Sequence, residues 1–454
     1  MIKRGSWRTR FGFYLLAIGS ACGLGNLWRF PYVVGENGGG AFVLLYVFLA
    51  MAIGAPLLIS ELILGKNSRK SVLVATQQLA PRAGKFIPWI GRFAVILSVT
   101  VFSYYAVISG WVLHFLTQFL VALFSSSEGT SANTSLQTLM SNGWLQLMLA
   151  SAHILITVVV VVKGVQEGLE KWISYIIPLF VVLVIILLIR SFSLPSTPEV
   201  LRFLFYPDFS KLTLSSVNHA LGHVFFTLSV GFGTMVTFGS YMREEDHVPT
   251  AGFRVTLVDT IISLVAVVMI FPVAFQASNV PLTDPALMFE VLPRYLLGIR
   301  GGTLFGLAFF ACLYMAALNA SIGLLEVIVS NWVDSRKKMD RGRATWFSGG
   351  IALVLTMIPA LSSSVFKEVR IGQRSLIESL DSLLINWILP MVALGLLVAY
   401  TRGTTDREKE ISFVDKDKFV SYSMYPHWLF MLKWGAPAVI IVSMIMQIIG
   451  NWTL

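Results

Sequence analysis

Apolar stretches dominate the chain, separated by short polar segments. They fall near 11–35, 40–64, 87–123, 144–162, 172–191, 217–241, 254–277, 303–332, 344–361, 376–400 and 428–450. Crossing the hydrocarbon takes about 20 apolar residues in a helix, so the pattern predicts about eleven spans. None of them alternates apolar with polar residues as a half-buried strand does. The fold class this implies is an all-α polytopic membrane protein. An odd number of spans puts the two termini on opposite faces of the bilayer.

The polar segments differ in charge. Alternate segments carry Lys3, Arg4, Arg8 and Arg10; Lys66, Arg69, Lys70, Arg82 and Lys85; Arg336, Lys337, Lys338, Arg341 and Arg343; and Arg402, Arg407, Lys409, Lys416 and Lys418. The segment around 124–143 has no Lys or Arg. Positive-inside bias then places the N-terminus in the cytoplasm and the C-terminus outside. Asn133-Thr-Ser, a formal glycosylation sequon, carries no weight beside this bias.

Composition sharpens the class. Of 454 residues, 56% are hydrophobic and 13% charged, with mean hydropathy +0.76. A soluble domain carries roughly 25% charged residues, so soluble, disordered and disulfide-scaffold classes are excluded. An outer-membrane barrel is excluded too, because its strands give no long apolar runs. The net charge of +10 and pI near 9.6 reflect loop residues that set topology, so the bilayer and not nucleic acid is the expected partner. Cys22 and Cys312 lie inside apolar runs and read as small core residues. The first apolar run shows no small-residue cleavage site and reads as a span, not a leader.

Two spans are interrupted by glycine. The first carries Gly19, Gly23 and Gly25 and ends in Arg29-Phe-Pro31; the sixth carries Ser229-Val-Gly-Phe-Gly233. Packing glycines recur every four residues, whereas these cluster beside Asn26 and Thr227. The two interruptions correspond if the chain is divided into spans 1–5 and 6–10. Broken helices in matching positions of two halves point to a transporter site at the midplane.

Gly19-Ser-Ala-Cys-Gly-Leu-Gly-Asn-Leu-Trp-Arg-Phe-Pro31, followed by Glu36-Asn-Gly-Gly-Gly-Ala-Phe42, resembles the neurotransmitter:sodium symporter family. Within it, bacterial amino-acid transporters of the leucine-transporter type are the nearest in pattern. Trp7, Tyr104-Tyr105, Thr227-Leu-Ser-Val-Gly-Phe-Gly233 and Ala316-Ala-Leu-Asn-Ala-Ser321 carry the resemblance across nearly the whole chain. It implies a single transporter domain over 1–454 with a 5+5 inverted-repeat core and broken helices 1 and 6. Repeat one covers about 11–191, repeat two about 217–400, and an extra helix about 428–450. Many members have twelve spans; the helix lacking here lies outside the repeat, so the transport core is expected to be whole.

The substrate expectations follow. Unwinding near Ala21–Gly25 frees N–H groups at the positive end of a half-helix, which suits a carboxylate. Gly23 and Gly25 let a ligand approach the main chain. The resemblance adds the Tyr105 hydroxyl for the carboxylate. For the amine it adds the carbonyls of Ala21, Phe226 and Thr227, with the Ser229 hydroxyl. Monoamine members place an aspartate where Gly23 stands here, which implies an α-amino acid. Val101, Ile108, Phe226, Ser229, Phe232, Ala320, Gly323 and Leu324 would line an uncharged pocket, so neutral hydrophobic substrates, aliphatic or aromatic, are expected.

Sodium wants oxygen ligands, as hard cations do. By the resemblance, a first ion takes the Ala21 carbonyl, Asn26, Thr227 and a residue of span 7. That residue is usually asparagine and here is Asp259. An intramembrane carboxylate is costly and marks function. Chloride-dependent relatives balance sodium with an anion, and chloride-independent ones with a carboxylate often one turn later, here Ser263. Asp259 would supply that charge, so no chloride requirement is expected. A second ion takes the carbonyls of Gly19, Cys22 and Ala316. Its two side-chain ligands become Asn319 and Ala320, and alanine cannot ligate, so one or two ions are coupled.

Arg29 and Asp381 match the family's outer gate, with Phe232 and Tyr105 as an apolar lid. Arg4 and Asp334 match the inner pair, with Trp7 as a plug. Gly168 and Pro178 mark a stretch of span 5 able to unwind. Glu61 reads as an acceptor for the unwound backbone of span 6. His223, where glutamine is usual, reads as a histidine hydrogen-bonded within the gate, with pH sensitivity as the sharper alternative. The expected function is sodium-coupled import of neutral amino acids across a cell (inner) membrane. Alternatives are proton coupling, a small osmolyte such as a betaine or γ-amino acid, or a non-transporting sensor permitted by Ala320. An intramembrane enzyme would need His114, His153, His219 or His223 beside a nucleophile or in metal-ligand spacing, and none is so placed. A channel would need repeated rings of ligands, which the chain lacks.

Overall fold

The computed structural model describes residues 7, 10–124, 135–278, 287–336, 338–369, 376–414 and 419–452. Those residues form helices and turns with no strand. Among the described residues, nine helices are long and apolar enough to cross a membrane: α3 (Gly40–Ser68), α4 (Ile87–Phe124), α5 (Gly143–Val162), α6 (Val165–Phe192), α9 (Val248–Gln276), α10 (Gly302–Ser335), α11 (Arg341–Leu361), α12 (Leu376–Gly403) and α13 (Ser423–Ile449). The two glycine-interrupted stretches are each split. The first gives α1 (Arg10–Ala21) and α2 (Phe30–Glu36) joined through a π-turn over Gly25–Arg29. The sixth gives α7 (Leu214–Thr227) and α8 (Thr234–Gly239). None of these four pieces spans a bilayer alone, since a helix advances only 1.5 Å per residue.

Local chemistry explains the boundaries. Pro31 stands in the first turn of α2, where a missing N–H costs nothing. Gly39, at φ 78°, caps α3. The helix Asp406–Phe413 starts on a reciprocal cap between Thr405 and Glu408. Two long helices begin earlier than hydropathy suggests, α6 at Val165 and α9 at Val248. Their opening turns carry polar or weakly apolar residues (Glu167 and Glu170 in α6; Pro249, Thr250 and Gly252 in α9) that lower hydropathy without ending the helix.

At 38 residues α4 is about 57 Å long, far more than the roughly 30 Å of hydrocarbon. It packs along α10, and that pair faces the two broken spans. α3 holds α8 and α9 against the same centre. The surface is lipid-facing, with Ile189, Val354 and Phe48 each about two-thirds exposed. Polar residues collect in the centre: Asn26, Thr227, Asp259, Ser263 and Asn319 are all buried.

Candidate functional site

The break in α1 is a loss of its own hydrogen bonds. Cys22 N–H still reaches the Ile18 carbonyl at 2.7 Å, but Gly23 N–H turns back to Ala21 at 2.8 Å. Leu24 N–H leaves the helix and donates to the Tyr105 hydroxyl on α4 at 2.9 Å. A hydroxyl accepting this bond keeps its own proton for another acceptor. A Cβ on Gly23 would stand 3.0 Å from both the Tyr105 hydroxyl and the Ala320 methyl, so glycine is what keeps this notch open.

Between α7 and α8 the backbone turns through left-handed conformations at Ser229 (φ 53°), Gly231 (φ 89°) and Gly233 (φ 77°). Glycine tolerates these; serine does so at a cost. Freed groups find side-chain partners. Gly231 N–H donates to Glu61 Oε1 at 2.7 Å, so Glu61 sits where an acceptor for this backbone is needed. The Phe232 carbonyl accepts from Ser98 at 2.8 Å, and the Ser229 hydroxyl reaches the Ser20 carbonyl at 3.4 Å.

A small cavity lies between the two breaks. Ala21, Gly23 and Gly25 border it from span one, Tyr105 from α4, and Phe226, Thr227, Ser229 and Phe232 from span six. Ala320 and Leu324 close it from α10. Val101 and Ile108 are buried on α4 but do not border it. Gly323 does not border it either: a Cβ there would lie 2.4 Å from the Ser20 hydroxyl, so its missing side chain makes room for Ser20. Ser20 lines the cavity and had no signal in the sequence, being one serine among the small residues of a glycine-rich run.

Beside the cavity, Asn26 Nδ2 donates to Asp259 Oδ1 at 2.6 Å and to the Ser263 hydroxyl at 2.8 Å. The Tyr46 hydroxyl touches the same pair, at 3.3 Å from Asp259 Oδ2 and 3.2 Å from Ser263. Asn26 Oδ1 is buried with no hydrogen-bond partner among the described residues. No Lys or Arg forms an ion pair with Asp259 there either, although the residue is fully buried. On the other side, Asn319 Oδ1 is likewise buried and unpartnered, with its carboxamide 3.6 Å from where a Cβ on Gly19 would be. Ala320 points into the cavity instead. The two positions where sodium is expected thus each hold an orphaned carboxamide oxygen, the donor type a hard cation takes. No cluster of three His, Cys, Asp or Glu exists among the described residues.

Residues expected at the gates make contacts at both ends of the broken pair. Arg29 and Asp381 are 3.7 Å apart, with the Tyr104 hydroxyl on Asp381 Oδ1 at 3.0 Å. The Arg29 guanidinium lies 5.7 Å over the Phe226 ring. Phe226 stands between Tyr105 (6.5 Å) and Phe232 (6.3 Å), so a third ring joins the two expected to form the lid. At the opposite end Trp7 is buried, packed edge-on against Phe238 and Tyr241, with Nε1 on the Phe238 carbonyl at 3.4 Å. Asp334 accepts from Ser71 N–H at 2.6 Å. Arg4 and the Asn133 sequon lie outside the described residues.

His223 departs from expectation. It is buried and stacked on Phe30 at 4.8 Å, and neither ring nitrogen has a hydrogen-bond partner among the described residues. Its aromatic face, not a hydrogen bond, holds it. Gly168 falls in a π-turn over Val165–Glu170, which follows Gly164 at φ 90°, and Pro178 lies inside α6. Cys22 and Cys312 are buried free thiols.

The family model described as "Sodium:neurotransmitter symporter family" matches residues 4–135 and 129–453. An uncharacterized sodium-dependent transporter of Bacillus subtilis is 31% identical over 437 residues, covering 96% of each chain. Another, from Haemophilus influenzae, is 30% identical over 459 residues and 98% of each chain. Among solved structures, MhsT in complex with L-phenylalanine superposes with a TM-score of 0.88 at 32% identity, over 97% of this chain and 99% of that one.

Proposed function

This chain belongs to the sodium:neurotransmitter symporter family, a multi-pass family of sodium-dependent transporters and not of enzymes, and from that premise we propose that it imports neutral hydrophobic L-amino acids by alternating access. Two halves, about 11–191 and 217–400, form an inverted repeat around the cavity. The observation that carries the reading is the cavity itself: two helix breaks face it, and orphaned Asn26 and Asn319 oxygens flank it. L-Phenylalanine in MhsT supports an amino-acid cargo.

In this reading the substrate carboxylate meets the N-terminal end of the half-helix after Gly23, with the Tyr105 hydroxyl donating to it. The ammonium meets carbonyls freed at Ala21, Phe226 and Thr227, with Ser229 beside them. The side chain lies against Phe226, Phe232, Ala320 and Leu324. No charged group borders the cavity, so an ionic side chain would be buried unpaired at a cost of several kcal/mol.

The first sodium site takes the Ala21 carbonyl, Asn26, Thr227 and Asp259. Asp259 is ionised when sodium is bound, and its fixed charge replaces a bound anion, so transport needs no chloride. The second takes Gly19, Cys22, Ala316 and Asn319, and is the weaker because Ala320 offers no oxygen. Arg29–Asp381 is the gate on one side. On the other are Trp7 and the Arg4–Asp334 pair, facing the cytoplasm, a side supported by the Lys and Arg bias of the loops.

Uptake of labelled tryptophan and leucine into proteoliposomes tests this, with inward gradients of Na⁺, K⁺ or H⁺ and with chloride replaced by gluconate. Accumulation driven only by Na⁺ and unchanged in gluconate is expected. Accumulation driven by H⁺ and indifferent to Na⁺ would sink the sodium assignment.

A further inference from the structure

Of the nine long helices, α6 buries only 28% of its most apolar window, less than any but α13 at 17%. One side of α6 is left open against α5, at the end of the bundle where Trp7 lies. A groove runs there, open to the surroundings. Leu155 and Val159 of α5 form its apolar wall. Trp172 and Tyr175, 41% and 70% exposed, form the other, in the manner of residues at a membrane interface. Its polar mouth is Lys163, Glu167 and Lys171. All three are exposed, and no ion pair reaches either lysine among the described residues. The mouth therefore carries a net positive charge beside an apolar slot.

We propose that this groove holds an anionic phospholipid of the surrounding bilayer, its phosphodiester between Lys163 and Lys171 and an acyl chain along Leu155, Val159 and Tyr175. Charge decides among lipids. A net-anionic headgroup neutralises the mouth, whereas a zwitterionic one leaves it positive. Basic pockets between helices at a membrane surface select anionic headgroups for this reason.

The lipid braces the turn beside it. Gly168 lies against the groove wall so closely that a Cβ would stand 2.3 Å from the Val160 carbonyl and 3.2 Å from the Lys163 side chain. Whatever occupies the groove therefore bears on the π-turn over Val165–Glu170. The neighbouring Val161 carbonyl accepts from Arg341 at 3.0 Å. Arg341 also pairs with Glu326, which accepts from the Tyr241 hydroxyl at 2.6 Å, and Tyr241 packs on Trp7. The groove thus connects through contiguous contacts to the plug at that end of the bundle.

The test uses the purified full chain. Native mass spectrometry would count retained phosphatidylglycerol, phosphatidylethanolamine and phosphatidylcholine on the wild type, K163Q, K171Q and the double variant. Phosphatidylglycerol should be retained preferentially, falling roughly fivefold for each lysine removed, and E167Q should retain more of it. Hydrogen exchange across 165–170 should slow when phosphatidylglycerol is added to phosphatidylcholine nanodiscs, and not in the double variant. Equal retention of phosphatidylcholine or phosphatidylethanolamine, or undiminished phosphatidylglycerol on the double variant, overturns the site. Exchange at 165–170 that ignores phosphatidylglycerol while the lipid binds overturns the brace. The wild-type lipid comparison stands without any variant, so a misfolded variant cannot mask the outcome.

Discussion

Asp259 is a carboxylate in the middle of an apolar helix, surrounded by Asn26, Tyr46 and Ser263. A buried charge without a partner is strongly unfavourable, and the proposed sodium ion would be its partner. Asp259→Asn should therefore leave the fold intact, raise the Na⁺ concentration for half-maximal uptake, and make uptake depend on chloride; proteoliposome assays in gluconate read both. Tyr105→Phe keeps the ring and removes the hydroxyl. Losing one hydrogen bond to a charged group should raise KM roughly tenfold to hundredfold, with little change in Na⁺ dependence. Asn26 and Asp259 were legible in the sequence because a polar residue inside an apolar run must have a reason. Tyr46 and Ser20 were not, because a tyrosine in an aromatic stretch or a serine among glycines says nothing about what faces it across the bundle.

Among the elements, the glycine clusters announced both breaks because a helix interior has no other use for several glycines beside polar residues. What they did not announce is the cost of holding the broken ends. At Gly231 a side chain would meet Leu389 at 2.8 Å and adopt φ 89°. Gly231→Ala should lower stability by about 1–3 kcal/mol, seen as a lower melting temperature in detergent. Glu61→Ala removes the acceptor of the same residue's N–H and should cost a similar amount, whereas Glu61→Gln, which keeps an acceptor, should cost less. The start of α6 was misplaced for a plain reason: hydropathy locates where lipid can be, and helices continue past it.

For the molecule as a whole, the native thiols can report on the packing at the Trp7 end of the bundle. Cys22 lies at the break of span one, buried, with Trp7 packed at the end of the bundle below it. Trp7→Ala should expose Cys22 to a thiol reagent applied from that side, with labelling many-fold faster than wild type, while Cys312, 1% exposed, stays unreactive. A peripheral clamp responds to acid instead. Glu408 accepts from Thr405 N–H at 2.7 Å and from Arg82 at 2.9 Å, and these bonds, the backbone one foremost, hold its carboxyl at about 2. A depressed value stabilises the folded form above the ordinary carboxylate range and is lost as pH falls from about 4.5 through about 2. Hydrogen exchange across 405–413 should rise over that window, modestly because the group is exposed and screened.

Tyr104 and Tyr105 are neighbours on one continuous helix. The first hydroxyl holds Asp381 at the gate, and the second receives the amide that α1 gives up at its break. Neighbouring residues on a helix point about 100° apart, so a roll of α4 would displace both hydroxyls at once. A cargo too bulky for the cavity would push on Tyr105, and the same push would reach Asp381. Under the proposed function, size discrimination and gate closure would then both act through this one helix, and an oversized substrate would be refused because the door it passed would not shut.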